Sequence, residues 1–433
     1  MAAPRGPAAG TLPAAVTDTA SATMTMVAGE VIPDALPAPA PSRTRPFSRP
    51  GAPAAPPTPA PAAPGDPVTH LWLPDVLGEG YERLTLPLAA DDEGPVMATL
   101  VRRVPEEGSD VVPDAGFDVL YVHGWSDYFF QTELADFWAA RGARFFALDL
   151  RKYGRSLRAW QTPGFVSDLQ TYDEDIDAAL AAMAAPIPEA AARAGRAAQR
   201  APAEPPVTPR RLVIMGHSTG GLTMSLWVAR NQDRVSALVL NSPWLEFQTR
   251  QVGRVALAPL VTLGARLDPR APLPTVDLGF YTRAVSADFD GEWSYSYIWR
   301  PVHGFEVRPG WLGAVLAGHA QVAHGLKISV PILTLLSTRS TLLPRWTPEM
   351  MHTDTALDVV GIARRATDLG ATCTIARIDG ALHDVVLSAP EVRAVAYQQI
   401  AAWLRAYVPV GAADSAGPAG PDAPVGSAAG REG

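Results

Sequence analysis

Short apolar runs alternate with amphipathic stretches through most of this chain, and that rhythm predicts its architecture. Residues 81–88 and 96–104 read as two opening strands, separated by the turn Asp91-Asp92-Glu93-Gly94. Six further apolar runs, at 117–122, 144–150, 212–215, 235–240, 331–336 and 373–378, have the length and composition of buried strands. Helical periodicity fills the spaces between them. Residues 132–141 predict a helix closed by Gly142. Leu169, Tyr172, Ile176, Leu180 and Met183 share one helical face, opened by a Ser167/Gln170 capping box. Helices also follow at 222–230, at 355–369 with Gly370 as the stop, and at 390–407 behind a Ser388/Glu391 capping box. Buried strands alternating with amphipathic helices imply an α/β fold with a mostly parallel, doubly wound sheet.

The rhythm fails in four places, and these failures set the domain plan. Residues 1–66 and 410–433 are Pro/Ala-rich and aperiodic, predicting disordered tails; 186–209 has the same character and predicts a flexible insertion. They hold much of the chain's large proline content, 43 residues in all. Residues 248–328 lack strand–helix alternation yet contain Trp293, Tyr295, Tyr297, Trp299 and Trp311. A stretch so long and aromatic is no plain loop, and a cap over the carboxyl edge of the sheet is expected. The core is then split into 67–247 and 329–409.

Charge and composition narrow the function classes. The net charge is −8 with no long run of either sign, which argues against nucleic acid or an anionic membrane as a partner. Cys373 is the only cysteine, so neither an intrachain disulfide nor a thiolate metal cluster can form; its position in an apparent strand predicts a buried, inert thiol. No apolar run has the length of a membrane span, and Pro and Gly interrupt the N-terminal stretch where a signal peptide would be apolar; a cytoplasmic protein is expected.

Chemistry enters at Gly216-His217-Ser218-Thr219-Gly220, which lies directly between a predicted strand and a predicted helix. That context makes a Gly-x-Ser-x-Gly pattern a nucleophile elbow, with Ser218 raised above the sheet on a tight turn. A serine nucleophile needs a base, an acid to orient the base, and donors for an oxyanion. His383 follows the last strand in a Gly-containing loop and is the candidate base. For the acid, no carboxylate follows the 331–336 strand at once; Asp354 and Asp358 are the candidates, and Asp354 is preferred because a loop position can point along the sheet edge. The amides of Thr219, at the helix start, and of Trp125, in the His123-Gly124-Trp125 loop, are the candidate oxyanion donors. His123, at a strand end, is assigned a structural role. His319 and His324 are off the spacing that puts two metal ligands on one helix face. They are expected at the polar surface. Asp288, Asp290 and Glu292 read as a solvated acidic turn, or alternatively as a site for a substrate ammonium.

The stretches Leu120-Tyr-Val-His-Gly-Trp-Ser-Asp-Tyr128, Asp149-Leu-Arg-Lys-Tyr-Gly-Arg-Ser156, Gly216-His-Ser-Thr-Gly-Gly221 and Gly380-Ala-Leu-His383 resemble the α/β-hydrolase superfamily. Within it they are most similar to the monoacylglycerol lipase, lysophospholipase and serine-aminopeptidase-like group. Two features depart from that pattern: Lys152-Tyr153 replaces the usual Gly-His, and an extra stretch at 337–353 separates strand from acid. The resemblance covers about 68–408 and implies a Ser218/Asp354/His383 triad under a lid, with the order Ser, Asp, His. It implies hydrolysis of a small-molecule acyl ester without a cofactor. An aminopeptidase or amidase of the same fold, and a non-catalytic binding protein, are the alternatives.

Overall fold

A computed structural model describes residues 71–104, 114–185, 210–247, 264, 266–274 and 277–408. The expected tails, the 186–209 insertion and residues 248–263 of the expected cap lie outside the described residues.

Nine strands form one sheet among the described residues, in the spatial order β1-β2-β3-β5-β4-β6-β7-β8-β9. They are β1 (Leu73–Pro74), β2 (Tyr81–Asp91), β3 (Gly94–Arg103), β4 (Phe117–Val122), β5 (Ala143–Asp149), β6 (Arg211–His217), β7 (Ala237–Asn241), β8 (Ile332–Ser337) and β9 (Cys373–Ile378). The first three and the β3–β5 pair are antiparallel, and every later pairing is parallel. This is the α/β-hydrolase fold. The helices are α1 (Thr132–Ala139), α2 (Tyr172–Ala184), α3 (Thr219–Arg230), α4 (Phe280–Val285), α5 (Pro309–Ala323), α6 (Val359–Ala366) and α7 (Pro390–Tyr407).

Period-two alternation along each central strand builds two cores, one per face. Leu120, Val122, Phe146, Leu148, Ile214, Leu238 and Leu240 face one side, where they meet Ile176 of α2, Leu222 and Leu226 of α3, Trp311 and Val315 of α5 and Ile362 of α6. Phe117, Val119, Tyr121, Phe145, Val213, Met215 and Val239 face the other, against Leu134 and Trp138 of α1 and Ile400 and Trp403 of α7. Each fully buried side chain of this size contributes about 2 kcal/mol, so burial on both faces holds the central strands in place.

Several element ends differ from the expectation, each for a local reason. The cap before α2 is Asp168, not Ser167: its carboxylate accepts the Gln170 amide and starts a 3₁₀ turn, Leu169–Thr171. Leu180, expected on the buried face, is half-exposed. Helix α6 starts at Val359 rather than 355, because Asp354 takes the amides of Ala356 and Leu357 into a turn. Ser388 does not cap α7; its hydroxyl accepts the Leu382 amide, and Pro390 opens the helix. Cys373 is half-buried, since β9 is an edge strand, and partial burial pushes its thiol up. His319 is buried rather than at the surface, with its Nε2 against the Trp244 carbonyl at 2.8 Å.

The parallel register brings five strand ends to one edge. Val122 pairs with Gly216, His217 with Asn241, Asn241 with Leu335, and Ser337 with Ile378. The loops that leave this edge carry Trp125, Ser218, Asp354 and His383. Among the described residues, no helix is long and apolar enough to cross a membrane.

Candidate active site

Ser218 joins β6 to α3 with φ 52° and ψ −118°. A non-glycine residue in such a conformation costs about 1–3 kcal/mol and is held only by its surroundings. Here the Ser218 amide donates to the Asn241 carbonyl at 3.0 Å, and the Ser218 carbonyl accepts from Trp244 at 2.9 Å and Leu222 at 3.2 Å. Two glycines clear the space around the turn. A Cβ on Gly220 would stand 2.2 Å from the His123 carbonyl oxygen, and one on Gly124 would stand 2.9 Å from the Ser218 Cβ. The 123–125 loop and the Ser218 turn are therefore packed backbone to backbone.

His383 approaches from the loop after β9. Its Nε2 lies 3.0 Å from Ser218 Oγ and its Nδ1 lies 2.9 Å from Asp354 Oδ2. A proton on Nδ1, facing the carboxylate, leaves Nε2 as the acceptor for the serine hydroxyl. Asp354 is fully buried; its other oxygen accepts the Ala356 amide at 2.7 Å and the Leu357 amide at 2.8 Å. The long 337–353 stretch does not loosen it. The Asp354 amide donates to the Arg339 carbonyl at 3.0 Å, and its carbonyl accepts from Thr341 at 2.9 Å, which ties the acid back to the end of β8. Asp358 is exposed and caps α6 through the Val360 amide at 3.1 Å. Of the two candidate acids, only Asp354 is brought to His383.

Neither the Trp125 nor the Thr219 amide is engaged by a backbone carbonyl among the described residues. Both flank Ser218, one across the Gly124 contact and one as its chain neighbour. His123 is buried, with Nδ1 toward the Gly124 carbonyl at 2.8 Å and Nε2 accepting the Leu150 amide at 3.1 Å, so it braces this loop. Burial holds His123 and His217 below the ordinary imidazole range, which keeps both neutral near pH 7.

Aromatic side chains close over the site. Trp311 of α5 lies against Trp125 with ring centres 3.6 Å apart, and Phe305 meets Trp125 at 5.8 Å. A cavity of about 10 Å³, bordered by Gly124, Tyr153, Thr219 and Trp311, is the size of a single water. Beside His383 the surroundings change character. Tyr281 meets the His383 ring edge-on at 5.4 Å, and buried Arg300 pairs with buried Asp127 at 3.1 Å. Burial pushes the Asp127 carboxyl up, against the pull of Arg300. Arg300 Nη1 and the hydroxyls of Ser126, Tyr281 and Tyr295 have no hydrogen-bond partner among the described residues. Asp127, Arg300, Gln131, Asn241 and Asp384 are absent from the sequence-derived set. Only adjacency to His123-Gly124 and His383, and a polar residue ending an apolar strand, could have flagged Asp127, Asp384 and Asn241.

Two acids of the turn in the 277–328 segment are paired with arginines, Asp290 with Arg283 at 2.6 Å and Glu292 with Arg393 at 2.9 Å, while Asp288 is exposed. No group of three or more His, Cys, Asp or Glu among the described residues could hold a metal ion.

The family model described as serine aminopeptidase, S33, matches residues 117–354. Among solved structures, the chain is similar to a monoacylglycerol lipase from Paleococcus ferrophilus, with 18% identity, 68% of this chain and 96% of that chain covered, and a TM-score of 0.48. It is also similar to a soluble variant of monoglyceride lipase from Saccharomyces cerevisiae in complex with a substrate analog, with 16% identity, 74% and 94% covered, and a TM-score of 0.49. No curated protein matches the chain.

Proposed function

Because the chain belongs to the serine aminopeptidase S33 family of hydrolases, we propose that it is a serine hydrolase that cleaves a carboxylic ester through an acyl-enzyme on Ser218. The observation that carries this is the hydrogen-bonded line from Ser218 Oγ through His383 to buried Asp354. In the proposed reaction, His383 Nε2 takes the serine proton as Oγ attacks the ester carbonyl, and Asp354 stabilises the imidazolium. The amides of Trp125 and Thr219 receive the oxyanion, each contributing about 3 kcal/mol to the transition state. His383 then returns the proton to the leaving alcohol, and a water activated by the same nitrogen releases the acid.

The two sides of the nucleophile support a substrate with an apolar acyl group and a polar alcohol, of monoacylglycerol, lysophospholipid or small acyl ester type. The Trp125, Trp311 and Phe305 wall suits the acyl side, and Tyr281, Arg300 and Asp127 border the histidine through which the alcohol leaves. The 248–328 segment is proposed as a cap that admits substrate when Trp311 moves off Trp125, since a space for one water holds no acyl chain. The aminopeptidase alternative finds less support, because two of the three acids that would read an amino terminus, Asp290 and Glu292, are paired with arginines, which leaves Asp288.

A fluorophosphonate probe tests the proposal. Labelling of the folded protein maps to Ser218 if the reading holds; folded protein that takes up no label there sinks it.

A further inference from the structure

Asp384, the residue after His383, is fully buried, and the proposed proton transfer leaves it without a part. Its Oδ1 accepts the Val386 amide at 3.1 Å, which caps the short turn Val385–Leu387. A serine or asparagine would cap that turn without a charge. Burying a carboxylate with no cation in contact is costly, so the charge answers to its other partners. Asn241 Nδ2 donates to Asp384 Oδ1 at 2.5 Å, and Gln131 Nε2 donates to Oδ2 at 3.1 Å.

Each of those amides is in turn fixed at its other end. Asn241 Oδ1 accepts the Val385 amide at 3.1 Å, and its main-chain carbonyl accepts the Ser218 amide at 3.0 Å and faces His217 Nδ1 at 3.1 Å. Gln131 Oε1 accepts the Phe130 amide at 2.9 Å, at the end of the segment that begins with His123-Gly124-Trp125. The carboxylate orients both amides, because it presents only acceptors and so draws their NH₂ groups toward itself. Their carbonyl oxygens are thereby turned to the two backbone amides.

We propose that Asp384, Asn241 and Gln131 are positioning residues: one buried carboxylate with two amide arms that holds the Ser218 turn, the His383 loop and the oxyanion loop in register. This rests on the serine-hydrolase reading of Ser218 and His383. None of the three touches the reacting atoms; they act by keeping Nε2 within reach of Oγ while the amide of Trp125 faces the same carbonyl. A displacement near 1 Å between such groups costs on the order of 100-fold in rate.

The experiment compares Asp384→Asn, Asn241→Asp and the exchanged double variant Asn241→Asp/Asp384→Asn in the full chain. It reads kcat and KM on p-nitrophenyl butyrate, the rate of fluorophosphonate labelling, and the thermal midpoint. Asn241→Asp sets two carboxylates together, and Asp384→Asn sets two amide donors face to face on one arm. Each lowers kcat by about 100-fold with KM within about twofold, and slows labelling in parallel. The exchange restores a donor against an acceptor on both arms, with only the Val386 amide left over, and recovers at least about tenfold of the lost rate. Single variants that turn over within twofold of the parent overturn the proposal. So does a loss that follows the thermal midpoint and is not recovered by the exchange. Should a single variant fail to fold, Gln131→Met, which leaves the Asn241–Asp384 pair intact, is read by the same kcat-against-KM split. A parent that never labels at Ser218 breaks the serine-hydrolase reading instead, whereas a parent and variants that label equally fast break the clamp alone.

Discussion

The Ser218 turn and the loop that carries Asp354 lie at the same sheet edge, yet they are built in opposite ways. The turn is a local object. Strand, turn and helix are contiguous from Arg211 to Arg230, and Gly216 and Gly220 stand within two residues of the serine; Gly124 is the one space-clearing glycine supplied by another loop. The acid loop is a long-range one. Asp354 lies 17 residues beyond the end of β8 and is tied back to the edge by bonds to Arg339 and Thr341 and by a turn knotted by Ser340, whose Oγ donates to the Leu357 carbonyl at 2.6 Å and accepts the Val359 amide at 3.0 Å. A reactive group can thus be placed by its immediate neighbours or by a network closed over a long excursion. The first placement tolerates no change of shape. The second tolerates changes of length, provided its closing bonds survive.

The largest expected effect tests the local side. Ser218→Ala removes the nucleophile and lowers kcat by about 10⁶ if serine, histidine and acid act as a unit, with the fold unchanged by circular dichroism. On the long-range side, Asp354→Asn lowers kcat by about 10⁴, because an amide holds the wrong imidazole tautomer. Asp358→Asn leaves kcat within about twofold, since asparagine caps a helix as well as aspartate does. If the second variant is the crippled one, the assignment of the acid is wrong.

Stability contrasts follow at smaller scale. Gly220→Ala forces a Cβ to 2.2 Å from the His123 carbonyl, a backbone atom that cannot rotate away. Chemical denaturation is expected to show a loss of about 4 kcal/mol or more. Ser340→Ala removes two hydrogen bonds from the acid loop and costs about 1–2 kcal/mol, with a fall in kcat of up to about tenfold as Asp354 loosens. An equal or larger loss of stability for Ser340→Ala would erase the contrast between the two constructions.

The smallest expected effect is a pH dependence that belongs to the Ser218 side. His123 and His217 brace the turn, and burial depresses both in the folded state. The unfolded chain therefore binds more protons than the native one as pH falls below about 6.5. The stability they contribute is complete above that value and is lost as pH drops through their depressed folded range. Thermal midpoints between pH 7.5 and 5 should fall, and His123→Gln should flatten part of the slope; an unchanged slope would remove His123 as a cause.

What the sequence alone makes legible follows the same division. The strands around 119–122 and 212–215 are legible because burial of side chains on both faces makes these stretches continuous apolar runs, and the doubly wound sheet follows from their alternation with helices. The Ser218 turn was legible because glycines must flank it. The starts of α2, α6 and α7 are less so: Ser167, Thr355 and Ser388 each carry cap-like chemistry, but competing groups stand within a few residues, and Asp168 takes the Gln170 amide, Asp358 takes the Val360 amide and Ser388 turns to the Leu382 amide instead.

The chain's own pattern thus determined the sheet, its two cores and the place of the turn at Ser218 between strand and helix, since period-two burial and the flanking Gly216 and Gly220 are properties of adjacent residues. Tertiary structure alone decided which aspartate meets His383, what surrounds the leaving side of the site, and how Gln131, Asn241 and Asp384 come to share one buried charge. Residues 110 and 253 positions apart in sequence have no local signal for each other. They become neighbours only when the parallel register brings the strand ends to one edge, where a buried polar group must find its partner among whatever the fold delivers.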